Sequence, residues 1–126
     1  MRCAVLVEEH AAFRQAMAYL LAQDLGVELV EEAATLSEAR ALALENLGEI
    51  DVVVSELSLP DGEATDFLAA LREARAGLPV LVLTFRGDGS SRERALELGA
   101  ARVMSKEAHV GEIFEAITEL GCQGER

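Results

Sequence analysis

Short apolar runs alternate with helical patterns five times along this 126-residue chain, and that alternation constrains the fold more than any other feature. The runs fall at residues 3–7, 27–32, 50–55, 80–83 and 102–104. Between and after them, apolar residues recur at helical spacing. The sets are Phe13, Met17, Leu20 and Leu21; Ala39, Leu42 and Ala43; Ala64, Phe67, Leu68 and Leu71; Ala95 and Leu98; and Val110, Ile113, Phe114, Ile117 and Leu120. Strands that alternate with helices form βαβ units, hence a parallel sheet covered by helices on both faces. Central parallel strands are buried on both sides and read as unbroken apolar runs. The first, third and fourth runs read that way, whereas the second contains Glu28, Glu31 and Glu32 and the fifth contains Arg102. Mixed strands belong at edges. The expected fold is therefore a doubly wound α/β domain with five parallel strands in the order 2-1-3-4-5 and five helices.

Turn and cap residues punctuate this pattern. Thr35 and Glu38 form a capping box for the second helix, and Ser90 and Glu93 suit another for the fourth. Pro60-Asp61-Gly62 marks a turn, with Asp61 expected to cap the third helix, and Gly87-Asp88-Gly89 marks a loop. His10 and His109 are expected to cap or face solvent at helix starts. One domain spans residues 1–120, and residues 121–126 read as a tail or the start of a linker.

Hydrophobic residues make up 51% of the chain, which argues against disorder, and aromatics only 4%, so the core is aliphatic. The formal charge of -12 repels phosphate backbones and excludes direct nucleic-acid binding; it suits solubility or a partner with a basic face. Two distant cysteines, Cys3 and Cys122, form neither a disulfide framework nor a metal spacing and suit a reducing, cytoplasmic compartment. No apolar run approaches the roughly 18 residues of a membrane span, and with a strand starting at residue 3 no signal sequence is expected.

In such sheets a site forms beyond the carboxyl ends of the strands, where the strand order reverses. Strand one ends at Glu8-Glu9, strand three at Glu56, strand four at Thr84 and strand five at Ser105-Lys106. Three carboxylates, a hydroxyl and a lysine are thus expected in one crevice. Carboxylates at such range repel unless a cation joins them, and either a divalent metal or the Lys106 ammonium can do so. A hydroxyl and an ammonium together can hold a phosphoryl oxygen or another anion. Each residue also has a plainer account: Glu8-Glu9 as acids favouring a helix N-terminus, Glu56 and Thr84 as strand-end residues, Lys106 as a surface lysine. Their joint placement on four strand ends favours a shared site. The chain has no GxGxxG, P-loop, CxxC or GxSxG motif.

The segments Val5-Leu6-Val7-Glu8-Glu9-His10, Asp51-Val52-Val53-Val54-Ser55-Glu56, Leu59-Pro60-Asp61-Gly62, Val80-Leu81-Val82-Leu83-Thr84 and residues 99–106 are weak singly and strong in this order. Together they resemble the response-regulator receiver family of two-component signalling, which has a flavodoxin-like fold. Residues 9–14 further resemble the branch whose receivers precede a helix-turn-helix DNA-binding domain. The resemblance makes Glu8 and Glu9 the acidic pair, Thr84 the switch hydroxyl and Lys106 the lysine that holds phosphoryl oxygens. It places Glu56 where the family has its phosphoacceptor aspartate. Mg²⁺ ligation is implied at Glu9, Glu56 and the Ser58 backbone carbonyl.

The departures matter more than the matches. Glu56 is one methylene longer than aspartate, which moves its carboxylate by roughly 1.5 Å. Misplacement of about 1 Å can cost on the order of 100-fold in an in-line transfer. Glu8 and Glu9 are also longer than the usual aspartates and crowd a small metal, so Mg²⁺ binding is expected to be weakened. Val103 replaces a strand-five aromatic, and Glu107 stands where many members have proline.

The expected function is that of an atypical, non-enzymatic receiver in signal transduction or transcription regulation, one that is not phosphorylated at Glu56. The alternative is a conventional receiver phosphorylated by a histidine kinase at another carboxylate such as Asp61. A metal-dependent phosphohydrolase would want an aspartate nucleophile after strand one, and a flavin or nucleotide carrier would be repelled by Glu8-Glu9. Expected partners are a sensor histidine kinase or another regulatory protein, a second copy in a homodimer, and DNA only through an output domain beyond residue 126. No membrane is expected as a partner.

Overall fold

A computed structural model describes residues 1–85 and 89–122. Its main sheet holds β1 (Cys3–Val7), β2 (Leu29–Ala33), β3 (Ile50–Ser55), β6 (Val80–Thr84) and β7 (Arg102–Ser105). They pair in parallel in the order β2-β1-β3-β6-β7. This is the expected 2-1-3-4-5 order. The labels shift because a two-stranded hairpin, β4 (Ser58–Leu59) and β5 (Gly62–Glu63), intervenes around the Pro60-Asp61 turn.

The helices are α1 (Ala11–Asp24), α2 (Leu36–Asn46), α3 (Thr65–Ala74), α4 (Gly89–Glu97) and α5 (Val110–Gly121). Alternation along the strands divides the core into two layers. Val5, Val7, Val53 and Val82 face Ala39, Ala43, Phe67, Leu71 and Ala95 of α2, α3 and α4. Leu6, Val52, Val54, Leu81 and Leu83 face Met17, Leu21, Ile113, Ile117 and Leu120 of α1 and α5. Burying one such Leu, Ile or Phe contributes roughly 1.5–3 kcal/mol. β1, β3 and β6 are buried almost throughout, whereas β2 and β7 are partly exposed at the edges.

Several expectations are corrected by the tertiary structure. The second strand begins at Leu29, two residues later than the apolar pattern suggested. Val27 is buried as loop packing, with its amide donating to the Leu21 carbonyl. Val110 belongs to the α5 stripe by spacing but is exposed at the start of that helix. Ser90 lies inside the first turn of α4 instead of capping it. The histidines behave as expected: His109 caps α5 through Nδ1, which accepts from the Gly111 amide, and His10 is exposed. Residues 87 and 88 of the expected Gly87-Asp88-Gly89 loop lie outside the described residues, as do residues 123–126 of the tail.

Thr35 caps α2 as expected, its Oγ1 accepting from the Glu38 amide at 3.2 Å, and Glu38 reaches back to the Ala34 amide at 3.4 Å. Asp61 does not cap α3, whose N-cap is Ala64. Its carboxylate instead accepts from the Leu36 and Ser37 amides at 2.8 and 3.0 Å, fastening the hairpin to the start of α2. The Leu36 bond foremost, with the Ser37 bond, holds the Asp61 carboxyl below its ordinary value against an opposing effect of desolvation.

Candidate functional site

Parallel strands bring their carboxyl ends to one rim. Val7 pairs with Ser55, and Thr84 with Ser105, so Glu8, Glu56, Thr84 and Lys106 emerge side by side. The backbone fixes the loop starts: the Glu8 amide donates to Ala33, Glu56 to Val7 and Lys106 to Thr84.

Lys106 is the hub of the cluster. Its ammonium forms a close ion pair with Glu8 Oε1 and lies 2.9 Å from Glu56 Oε2. Only 3% of the lysine side chain and 2% of that of Glu8 are exposed. Thr84 Oγ1 donates to Glu56 Oε1 at 3.0 Å. Glu56 Oε2 is buried and meets the ammonium as a charge contact without hydrogen-bond geometry. The rings of Phe13 and Phe85 each lie 5.1 Å from the ammonium, within cation–π range. Two carboxylates and two aromatic faces thus enclose one cation.

A second set of contacts positions Glu8. Its Oε2 accepts from the His10 amide at 3.0 Å and faces His10 Nδ1 at 3.1 Å. Arg14 Nη1 donates to the Glu8 carbonyl at 2.8 Å while Arg14 Nε bonds Glu32 on β2. Burial alone would push the Glu8 carboxyl up, but hydrogen bonds from Lys106 and the His10 amide, with the lysine charge, bring it below its ordinary value. Burial likewise opposes the Lys106 charge, and the ion pairs with Glu8 and Glu56 outweigh it, holding the ammonium above its ordinary value.

The structure brings together Glu8, Glu56, Thr84 and Lys106. It does not bring in Glu9, which is exposed. Ser58 sits on β4, its hydroxyl spent on Glu63 Oε1 at 2.9 Å. Four contributors escaped the sequence reading: Phe13, Phe85, His10 and Arg14. An aromatic directly after a strand-end threonine, next to a strand that ends in lysine, was the available signal for Phe85.

This donor set does not fit Mg²⁺. Lys106 already pairs with both carboxylates that a divalent ion would need, and Glu9 stands apart from them. Among the described residues, no group of three or more His, Cys, Asp or Glu side chains is placed to hold a metal ion.

The family model for the response regulator receiver domain matches residues 4–118. This chain belongs to that family. The receiver is similar to the non-phosphorylated HemR receiver domain of Leptospira biflexa, with 32% identity, a TM-score of 0.85, and coverage of 96% of this chain and 94% of that one. It is 35% identical over 109 residues to the KDP operon transcriptional regulatory protein KdpE of Escherichia coli, covering 86% of this chain and 46% of KdpE. It is 29% identical to the nitrate/nitrite response regulator protein NarP of the same organism, covering 97% of this chain and 55% of NarP. The receiver thus spans about half the length of these curated relatives. It is a signalling module of two-component systems, related to transcription regulators. Among the described residues, no helix is long and apolar enough to cross a membrane.

Proposed function

We propose that this receiver signals without aspartyl phosphorylation, because Glu56 occupies from within the place that a phosphoryl group would take. One observation carries this reading. The two groups that hold phosphoryl oxygens in the family, Thr84 and Lys106, both face the Glu56 carboxylate, at 3.0 and 2.9 Å. Each oxygen of that carboxylate thus already faces one of these groups, Oε1 as a hydrogen-bond acceptor and Oε2 as a charge contact. Mg²⁺ binding is weakened for the same reason, since the cation position belongs to Lys106.

The imitation of a phosphoaspartate is partial. A carboxylate brings about one negative charge where a phosphate brings about two. The domain is held in one state, and regulation passes to its partners: a second copy, a histidine kinase or another regulatory protein. We place it in the cytoplasm as the receiver part of a longer transcription regulator, touching DNA only through an output domain. It performs no catalysis of its own.

Asp61 is a poor substitute acceptor, since its carboxylate already accepts two amide hydrogen bonds from α2. Titration of the ¹⁵N-labelled protein with beryllofluoride and Mg²⁺, a mimic of the phosphoryl group, tests the proposal. The Glu56, Thr84 and Lys106 amides are expected to stay in place. Saturable shifts at all three would overturn it.

A further inference from the structure

Away from the ion cluster, a groove runs between α2 and α3. Its upper end is a cavity of about 380 Å³ whose walls include Ser37, Arg40, Asp61, Glu63 and Asp66. Its lower end is a shallow apolar depression of about 20 Å³ walled by Ala43, Leu44, Ala70 and Ala74. Arg40 and Phe67 line both, so the two adjoin.

The groove offers an apolar surface beside an acidic end. Asp66, Ala70 and Ala74 follow one another at four-residue spacing on one face of α3, as do Arg40 and Leu44 on α2. The alanines keep the surface between the helices low, and Leu44 holds an aliphatic side chain 62% exposed at the rim. The upper end carries three carboxylates against the one guanidinium of Arg40. Asp61 and Glu63 already accept hydrogen bonds, but Asp66 makes no hydrogen bond or ion pair among the described residues.

We propose that this groove docks an amphipathic helix of a partner protein, with apolar side chains over Leu44, Ala70 and Ala74 and a Lys or Arg beside Asp66. Asp66 and Ala74 are eight residues apart, about 12 Å along the helix, so the partner needs its basic residue about two turns from an apolar anchor. Charge chooses this occupant over a second copy. The chain carries a charge of -12, its amphipathic α5 offers Glu112, Glu115 and Glu119 with no basic residue, and on α4 Arg92 and Arg94 alternate with Glu93 and Glu97. Like charges across such a face oppose self-association.

A synthetic Leu/Lys amphipathic helical peptide, titrated into the ¹⁵N-labelled protein, is the probe. Amide shifts are expected along α2 and α3. Affinity should fall about tenfold in Leu44→Asp and in Asp66→Lys, the size expected for losing an anchor. Glu119→Lys, the same charge change on α5, should leave affinity within about twofold, and a Leu/Glu peptide should not bind. All three variants alter exposed side chains and should stay folded, with amide dispersion outside the groove as in the wild type. The proposal is overturned by shifts on another face, by equal loss in Asp66→Lys and Glu119→Lys, by no binding, or by a dimer that Leu44→Asp dissolves.

Discussion

The Lys106 ammonium sits 2.9 Å from Glu56 Oε2 and closes a second ion pair with Glu8, so one buried cation serves two carboxylates from two different strand ends. Taking these charges out of water is costly, and what offsets that cost is their mutual attraction with the hydrogen bonds from Thr84 and His10. The cluster therefore depends on every member being present. It also links β1, β3, β6 and β7 at the rim where the family receives phosphate.

Removing the cation should be the most damaging single change. Lys106→Met keeps a long stem but leaves Glu8 and Glu56 buried without a counter-charge. A loss of about 3–5 kcal/mol is expected. Urea denaturation measures it, and a loss below about 1 kcal/mol would place the pair in the class of weak surface bridges.

Stability should fall at both ends of the pH range. The folded Glu8 carboxyl lies below its ordinary value of 4.5, so its contribution is complete above that pH and is lost as pH falls through the lower folded value. The folded Lys106 ammonium lies above its ordinary 10.5, so its contribution is complete below that pH and is lost as pH rises through the higher folded value. Denaturation midpoints across pH should show a plateau between these limits. Lys106→Met should flatten the alkaline fall, and an unchanged fall in the variant would contradict the assignment.

The aromatic walls are separable from the core. Phe85 is 63% exposed, so Phe85→Ala removes little buried area and mainly the ring beside the ammonium. A cost of about 0.5–1 kcal/mol is expected. Phe85→Leu should cost nearly as much, since an aliphatic side chain has no ring face. Full rescue by leucine would mean that packing, not the ring, matters.

Asp61 fastens the β4–β5 hairpin to α2. Asp61→Ala should lower the melting temperature and speed amide exchange at Leu36 and Ser37, whereas Asp61→Asn, which keeps one acceptor oxygen, should do both to a smaller extent. Exchange at those two amides equal to wild type in the alanine variant would remove the cap from the account.

Much of this was legible in the sequence where local pattern and tertiary role coincide. β1 and β3 fall where the apolar runs place them, because strands buried on both faces leave an unambiguous pattern. Glu8, Glu56, Thr84 and Lys106 were legible for a geometric reason: parallel strands deliver their ends to one rim. Asp61 was not, because its partners lie 24 and 25 residues away and only the tertiary fold brings them near. Glu9 follows Glu8 in sequence, yet only Glu8 turns inward, toward the lysine. Val27 and Val110 show the limit of periodicity, which marks apolar residues without telling a strand from a buried loop or an exposed helix end.

Intact mass after incubation with acetyl phosphate and Mg²⁺ tests the central claim most directly, with Glu56→Asp run alongside. The shorter side chain should withdraw from Thr84 and Lys106 and restore a conventional acceptor, so the variant should gain one phosphate. The wild-type protein should gain none. A stoichiometric gain of one phosphate by the wild type, at Glu56 or at Asp61, would contradict the account.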